Sequence, residues 1–161
     1  MKRYLLIVGV AVLIASADQL TKKLVLDSIP IWSGFRVTDF FNLVHFRNSG
    51  AAFGLLNRPE MTWQFWIFMA ASITTAGIIF YLARTADEKN WGLHSSLGFI
   101  LGGAAGNFID RIRFRNVVDF LDFHLDNWHW PAFNLADISI CTGVALLLLL
   151  TLFAKKQKRK P

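Results

Sequence analysis

The sequence predicts an all-α integral membrane protein, with four transmembrane helices and a small β-rich platform on the extracytoplasmic side. Hydrophobic residues make up 54% of the 161 positions and charged residues only 17%, which is too apolar for a typical soluble domain. Residues 62 to 83 carry no charge, and a helix of that length can cross roughly 30 Å of hydrocarbon. No internal repeat or low-complexity linker divides the chain, so residues 1 to 161 are predicted to form one membrane domain.

The first helix is predicted at residues 4 to 26, although the start of the chain also has the pattern of a secretory signal peptide. Lys2 and Arg3 precede an apolar run that ends in the small-residue triplet ASA, as in a cleavable leader. The basic start and the basic tail KKQKRK at 155 to 160 both favour cytoplasmic termini, and two termini on one side require an even number of spans. Because three further spans follow, we expect the first helix to be retained.

The other three helices are predicted at residues 62 to 83, 93 to 110 and 133 to 154. The middle one of these is rich in glycine and lightly polar, whereas the last is strongly apolar after its first turn. This order leaves one short cytoplasmic loop and two longer segments on the outer side of the membrane.

The two outer segments, residues 27 to 61 and 110 to 132, are where chemistry can reach water. The stretch FFNLVHFR at 40 to 47 alternates and is aromatic, which predicts a strand, and the small residues of the following NSGAAFG favour a turn. We therefore expect a small β-rich platform on the membrane surface.

Several polar residues are predicted to lie in or at the ends of membrane helices. An Asp at the centre of a span costs about 2.5 to 3.5 kcal/mol on insertion scales, so such residues are functional candidates. Each of these acidic residues has a polar residue three or four positions away, which places the two on one helix face. The groups are Asp18 with Lys22, Asn107 with Asp110 and Arg111, and Asn134 with Asp137. The alternative for Asp18 and Lys22 is an ion-paired brace between helices.

The topology brings two carboxylates to similar depth near the outer boundary. The third helix ends and the fourth begins at the same face, so Asp137 can meet an acidic residue of the segment between them. Two close carboxylates in a poorly solvated site share one proton and can serve as general base and general acid around a water molecule. Residue types alone do not choose between Asp119, Asp122 and Asp126.

Other catalytic chemistry has little support in the sequence. The single cysteine, Cys141, is predicted to be an inert packing residue of the last helix. His124 and His129 do not have the spacing of a helical zinc pair. We therefore expect no metal and no cofactor. We also expect no nucleic-acid partner, because the basic tail is typical of an anchor at lipid headgroups.

Five sequence blocks occur in order along the chain. They are DQLTK at 18 to 22, NSGAAFG at 48 to 54, GGAAGNFIDR at 102 to 111, VVDF at 117 to 120 and FNLADISI at 133 to 140. In this order across four predicted spans, they resemble the signature blocks of the lipoprotein signal peptidase family, also called signal peptidase II. The resemblance covers nearly the whole chain.

The resemblance implies a bacterial inner-membrane aspartyl endopeptidase with its site toward the outer face. Such an enzyme removes the signal peptide of diacylglyceryl-modified prolipoproteins just before the lipidated cysteine, in contact with membrane lipids; a monomer would be sufficient. It also implies three groups of residues: the catalytic dyad Asp119 and Asp137; the substrate site Asn48, Asn107, Arg111 and Asn134; and the structural support Asp18, Lys22 and Asp110.

The competing interpretation is a small four-helix transporter coupled to protons or cations. It predicts acidic residues near the middle of the membrane and pseudo-repeated halves. The sequence has no visible inverted repeat, and Asp119 and Asp137 are predicted at one boundary, so the peptidase is favoured.

Overall fold

The structure is a computed structural model that describes residues 1 to 50 and 62 to 157. These residues form four helices, α1 Lys2–Ser28, α2 Thr62–Thr85, α3 Trp91–Phe114 and α4 Leu135–Gln157, and four strands, β1 Gly34–Thr38, β2 Phe41–Asn48, β3 Val117–Leu125 and β4 Trp128–His129. The predicted turn from residue 51 onward and the end of the basic tail lie outside the described residues.

Helix α3 is the centre of the bundle, with α1 and α4 packed closely against it and α2 alongside. Its 24 residues give a length of about 36 Å, yet its buried residues include His94, Ser96 and Asn107. In the described part of the chain, the helices apolar enough to cross a membrane are Lys2–Ser28, Trp63–Thr85 and Leu135–Phe153. Three membrane helices and the sheet are thus confirmed. α3 is less apolar than these three, because it carries polar residues that face its neighbours, so the fourth span stays a prediction.

Glycines allow the backbone of α3 to approach its neighbours. A Cβ atom at Gly103 would clash with the Ala136 carbonyl oxygen of α4, and one at Gly106 would lie 2.5 Å from the Asp18 carboxylate of α1. Small residues at such positions are typical of tightly packed membrane helices. This close approach brings the polar residues of α1, α3 and α4 within hydrogen-bonding distance.

The strands form an antiparallel sheet in the order β1-β2-β3-β4. β2 confirms the strand that was predicted at residues 40 to 47. α3 continues past its predicted end at 110 to Phe114 and stops where Arg115 adopts a left-handed conformation with φ 63°. β3 then starts at once, so it lies directly beside the end of α3.

The sheet and the chain start lie at opposite ends of the bundle. The terminal amine of Met1 lies 3.1 Å from Glu88 Oε1, and the guanidinium of Arg3 donates to the Ala86 carbonyl oxygen at 3.1 Å, which places the start of α1 beside the α2–α3 loop. At the other end, Val25 of α1 packs in one apolar cluster with Val118 and Phe120 of β3. α1 runs through the ASA triplet without a break.

Candidate active site

A cavity of about 370 Å³ opens where the sheet meets the ends of α3 and α4, a size that suits a ligand site. Asp119 of β3 and Asp137 of α4 both line it, together with Asn48 from β2 and Asn107 and Arg111 from α3. The remaining wall is mainly apolar and consists of Gly50, Val117, Trp130, Pro131, Ala132, Phe133, Ile138, Cys141 and Thr142.

Asp137 is fixed by the way in which α4 begins. Asn134 is the residue before the helix; its side-chain oxygen accepts from the Asp137 backbone N–H at 3.0 Å, and Asp137 Oδ2 accepts from the Asn134 backbone N–H at 3.2 Å. This reciprocal pattern is a capping box, in which each side chain satisfies a backbone donor of the other. The sequence N-x-x-D therefore both starts the helix and holds the Asp137 carboxylate.

Asn134 joins the two carboxylates, because its backbone N–H binds Asp137 and its side-chain amide binds Asp119. Its Nδ2 donates to Asp119 Oδ1 at 2.8 Å and lies 3.2 Å from both the Val118 carbonyl oxygen and Asn107 Oδ1. Asn134 is fully buried, so its amide holds neighbouring side chains and does not face the cavity. The other oxygen of Asp119 accepts from Asn48 Nδ2 at 3.0 Å.

Lys22 of α1 determines which way the Asn107 amide points. The Lys22 ammonium lies 3.0 Å from Asn107 Oδ1, and because an ammonium group only donates, the oxygen of the amide must face it. The Asn107 Nδ2 then points to Asp137 Oδ1, at 2.9 Å. A residue of the first helix thus acts on Asp137 through one intermediate amide.

Lys22 itself lies between two buried carboxylates. Its Nζ is 2.8 Å from Asp18 and 2.9 Å from Asp110, and all three side chains are almost completely buried. Asp18 also accepts from the backbone N–H of Ala136 in the first turn of α4 at 2.9 Å, and Asp110 accepts from Val118 N–H of β3 at 3.1 Å. This ion network joins α1, α3, α4 and β3 directly behind the cavity.

Burial dominates the electrostatics of Asp119, which is 3% exposed. The pKa of Asp119 is raised to about 7, chiefly by desolvation and also by the nearby Asp137 carboxylate, while the hydrogen bonds from Asn48 and Asn134 oppose the shift. Asp119 therefore keeps a proton at a pH at which an ordinary aspartate has lost it.

Arg111 presents its guanidinium to the cavity from the last turns of α3. Its Nη2 donates to the Gly50 carbonyl oxygen at 3.3 Å, and the group lies 4.7 Å from the centroid of the Phe68 ring. The carboxylate of Asp110 is instead held by Lys22. The Arg111 charge is therefore placed at the cavity wall, where it can bind a phosphate or a carbonyl oxygen.

The three acidic residues between α3 and α4 have different surroundings. Asp119 lines the cavity, whereas Asp122 is buried elsewhere and accepts from Asn42 Nδ2 at 2.8 Å. Asp126 is exposed at the tip of the β3–β4 turn with φ 50°. Of the three candidates, the geometry brings Asp119 together with Asp137.

The structure differs from the sequence analysis at Cys141. This residue was predicted to pack in the helix interior, but it is exposed and lines the cavity one turn after Asp137. The i, i+4 spacing from Asp137 places both on one helix face, which is the signal that could have shown it. Gln19 was also missed: its Nε2 donates to Asp110 Oδ1 at 2.8 Å.

The side chains offer little that could bind a metal. Among residues 1 to 50 and 62 to 157, no three His, Cys, Asp or Glu side chains are grouped so that they could hold an ion. The arrangement instead places two carboxyl groups at one mainly apolar cavity, and one of them, Asp119, has a raised pKa.

Comparisons with known proteins agree over most of the chain. A family model described as signal peptidase (SPase) II matches residues 10 to 153. The chain is 47% identical over 148 residues to the lipoprotein signal peptidase of Oleidesulfovibrio alaskensis, with 91% of this chain and 94% of that protein covered. It is 44% identical over 140 residues to the same enzyme of Burkholderia vietnamiensis, with 87% and 83% covered.

The fold is also similar to a bacterial membrane enzyme that was solved by the in meso method. The TM-score is 0.84 at 29% identity, and the match covers 96% of this chain and 92% of that one. A second such structure gives a TM-score of 0.79 at 30% identity, with 91% and 92% covered.

Proposed function

The chain belongs to the signal peptidase II family, and on that premise we propose that Asp119 and Asp137 are the catalytic pair of an aspartyl endopeptidase. As a member of the family it is a multi-pass protease of the inner membrane that removes the signal peptide of prolipoproteins. The catalytic type, the residues and the orientation in the membrane are part of the proposal.

The observation that carries the proposal is the shared cavity of the two carboxylates. Asn134 contacts both, through its Nδ2 to Asp119 at 2.8 Å and its backbone N–H to Asp137 at 3.2 Å. A pair of carboxyl groups that share one proton can activate water and protonate a leaving amine without a metal or a nucleophilic side chain.

The proton positions follow from the surroundings of each group. Asp119, with its raised pKa, holds the proton and acts as general acid, and the ionised Asp137 takes a proton from the attacking water. The hydroxide adds to the scissile carbonyl carbon while Asp119 protonates its oxygen. When the C–N bond breaks, the amine of the following cysteine takes up the proton that Asp137 has gained, and a hydroxyl group of the intermediate returns its proton to Asp119, which yields the carboxylic acid and restores both residues.

Access from the bilayer explains how a lipidated substrate reaches the site. Ile138, Cys141 and Thr142 of α4 line the cavity and are exposed, so an acyl chain beside α4 can enter without leaving the membrane. The guanidinium of Arg111 at the same wall offers donors to polar groups of the substrate. This geometry favours cleavage just before a diacylglyceryl-modified cysteine.

The orientation in the membrane follows from charge. The end of the bundle that holds the N-terminus carries the basic start Lys2 and Arg3, and α4, which begins at the sheet, runs back toward this end before the basic stretch at 155 to 160. The positive-inside rule favours this end as the cytoplasmic one. The sheet and the cavity then face the outer side, and α3 crosses the membrane together with α1, α2 and α4.

Cleavage of a purified, diacylglyceryl-modified prolipoprotein by the protein in detergent tests the function. We expect release of the signal peptide from the lipidated precursor and none from the same precursor with its lipobox cysteine replaced by alanine. A wild-type preparation that binds the lipidated precursor without cutting it would contradict the proposal, and proton-driven uptake into vesicles would favour the transporter.

The pH dependence of cleavage should reflect the protonation of Asp119. Its raised pKa means that the carboxyl keeps its proton below about pH 7 and loses it above, so kcat/KM should fall about tenfold for each pH unit on the alkaline side. The measurement is a pH profile of cleavage at limiting substrate in one buffer system.

Asn48→Ala tests in which direction the alkaline limb of this pH profile moves. Asn48 donates to Asp119 Oδ2 and so stabilises its charged form, which means that removing it should raise the pKa of Asp119 and move the alkaline limb to higher pH. An unchanged limb, or one that moves to lower pH, would contradict the role of Asp119 as the acid.

Cys141 should be near the substrate but outside the chemistry. We expect Cys141→Ala to keep kcat/KM within about threefold, and a bulky maleimide to block the wild type but not this variant, because Cys141 lines the cavity. The chain has a single cysteine, so labelling is specific. Loss of activity in Cys141→Ala would point to a thiol mechanism, and inhibition by EDTA reversed by zinc to a metal.

A further inference from the structure

Asp122 and His129 form a contact on the β3–β4 hairpin, in which the Asp122 carboxylate is buried and the His129 side chain is half exposed. His129 Nδ1 lies 2.9 Å from Asp122 Oδ1 and 3.0 Å from Oδ2, and Asp122 is 4% exposed. The same carboxylate accepts from Asn42 Nδ2 at 2.8 Å. Hydrogen bonds to a buried carboxylate are stronger than neutral ones, so this contact joins β2, β3 and β4.

The contact lies where the chain leaves the sheet to form the cavity wall. β4 pairs with β3 through only two residue pairs, Leu125 with Trp128 and His124 with His129. Trp130 follows at once, and the stretch 130 to 133 lines the catalytic cavity. A ladder this short fixes a chain weakly, so the side-chain contact of His129 adds an anchor to the backbone hydrogen bonds of this stretch.

The wall is thin. Trp130 and Phe133 line both the catalytic cavity and a second aromatic cavity of about 400 Å³ on the other side. A wall between two open spaces has few atoms packed behind it, so its position depends on its anchors. Phe133 is held by backbone hydrogen bonds to Leu121, and Trp130, directly after His129, donates its backbone N–H to the Phe123 carbonyl oxygen at 2.8 Å.

We infer that Asp122 and His129 are a positioning pair that holds the Trp130 wall in place for substrate binding. The inference rests on the proposed function, since it assigns this wall to the substrate cavity. The two carboxylates of the dyad have their own supports in Asn134 and Asn107. Loss of the pair should therefore weaken binding of the lipidated substrate and leave the chemical step unchanged.

Two variants of His129 separate the hydrogen bond from the ring. His129→Phe keeps the ring that stacks on His124, 5.0 Å away, but has no donor; His129→Asn keeps a donor close to the position of Nδ1 without the ring. We expect His129→Phe to raise KM about tenfold with kcat within about twofold, the effect of one lost hydrogen bond to a charged group. His129→Asn should restore KM to within about threefold of the wild type.

His124→Phe is the matched control on the same hairpin. Among the described residues, neither ring nitrogen of His124 has a hydrogen-bond partner. His124→Phe replaces one aromatic ring by another and should therefore leave KM and kcat unchanged. Asp122→Asn should raise KM like His129→Phe, and the double variant should raise it no further, because both changes remove one interaction.

The assay is steady-state cleavage of the diacylglyceryl-modified prolipoprotein, with thermal unfolding in detergent as the measure of folding. An unchanged KM in His129→Phe, equal damage in His129→Phe and His129→Asn, or a fall in kcat at constant KM would overturn the inference. If His129→Phe does not fold, the same test applies to Asp122→Asn against the exposed Asp126→Asn. Wild-type turnover in the same assay reports separately on the proposed function.

Discussion

Asp119→Asn and Asp137→Asn are each expected to lower cleavage of a lipidated prolipoprotein at least about a thousandfold, within the range that positioned acid–base groups contribute. An amide at position 137 cannot take a proton from water and pass it to the leaving amine, and an amide at position 119 cannot protonate the scissile carbonyl oxygen. Both residues line one cavity and share Asn134 as a neighbour. The double variant should therefore lose no more than either single one.

The assay compares kcat/KM of the wild type, both single variants and the double variant on one substrate. Each carboxylate accepts hydrogen bonds on both oxygens. In an asparagine variant the side-chain NH2 group replaces one of these acceptors and faces a hydrogen-bond donor, which is expected to lower the free energy of unfolding by about 1 to 3 kcal/mol. Thermal unfolding and retained binding of substrate separate this cost from the catalytic one.

The control for charge is Asp126→Asn, at an exposed turn position whose left-handed conformation asparagine tolerates well. Asp122→Asn is unsuitable, because Asp122 is buried and contacts His129 and Asn42. Substantial turnover in either single variant of the dyad, or a comparable loss in Asp126→Asn, would refute the catalytic assignment.

Lys22→Met is expected to have the largest effect on stability, a loss of about 3 to 5 kcal/mol in the free energy of unfolding, as when one partner of a buried ion pair is removed. The change leaves the carboxylates of Asp18 and Asp110 buried without their common cation. It also frees the amide of Asn107, whose oxygen Lys22 fixes, so the folded fraction should cleave more slowly.

Lys23→Met is the matched control one residue along the helix. Lys23 pairs with Asp27 at 2.6 Å, but both side chains are mostly exposed, and such surface pairs contribute about 0 to 1 kcal/mol. Chemical denaturation in detergent micelles compares the two variants directly. A Lys22→Met protein as stable as Lys23→Met would show that the buried network is not needed.

A neutral replacement of the whole network distinguishes loss of charge balance from loss of packing. The triple variant Asp18→Asn, Lys22→Met and Asp110→Asn removes all three charges at similar volume. It should be more stable than Lys22→Met alone, because no unpaired charge remains buried. If it is less stable, the hydrogen bonds of the carboxylates to Ala136 and Val118 contribute more than the charges cost.

The sequence by itself determined the class of the protein, the strand at β2 and the position of Asp18 and Lys22 on one helix face. Each of these is local: an uncharged apolar run specifies a membrane helix, alternation specifies a strand, and i, i+4 spacing places two side chains on one helix face. The order of the five blocks also identified the family, which the similarity to known peptidases confirms.

Only the tertiary structure decided which of Asp119, Asp122 and Asp126 lies with Asp137. All three follow α3 within a few residues and look alike in sequence, but the pairing of β3 with β2 and β4 sends them to the cavity, to His129 and to solvent respectively. The same holds for Lys22, whose second carboxylate comes from α3, and for Cys141, which faces the cavity. Such contacts join residues far apart in the chain, so they depend on strand register and on the close approach of helices at glycines, neither of which a local pattern specifies.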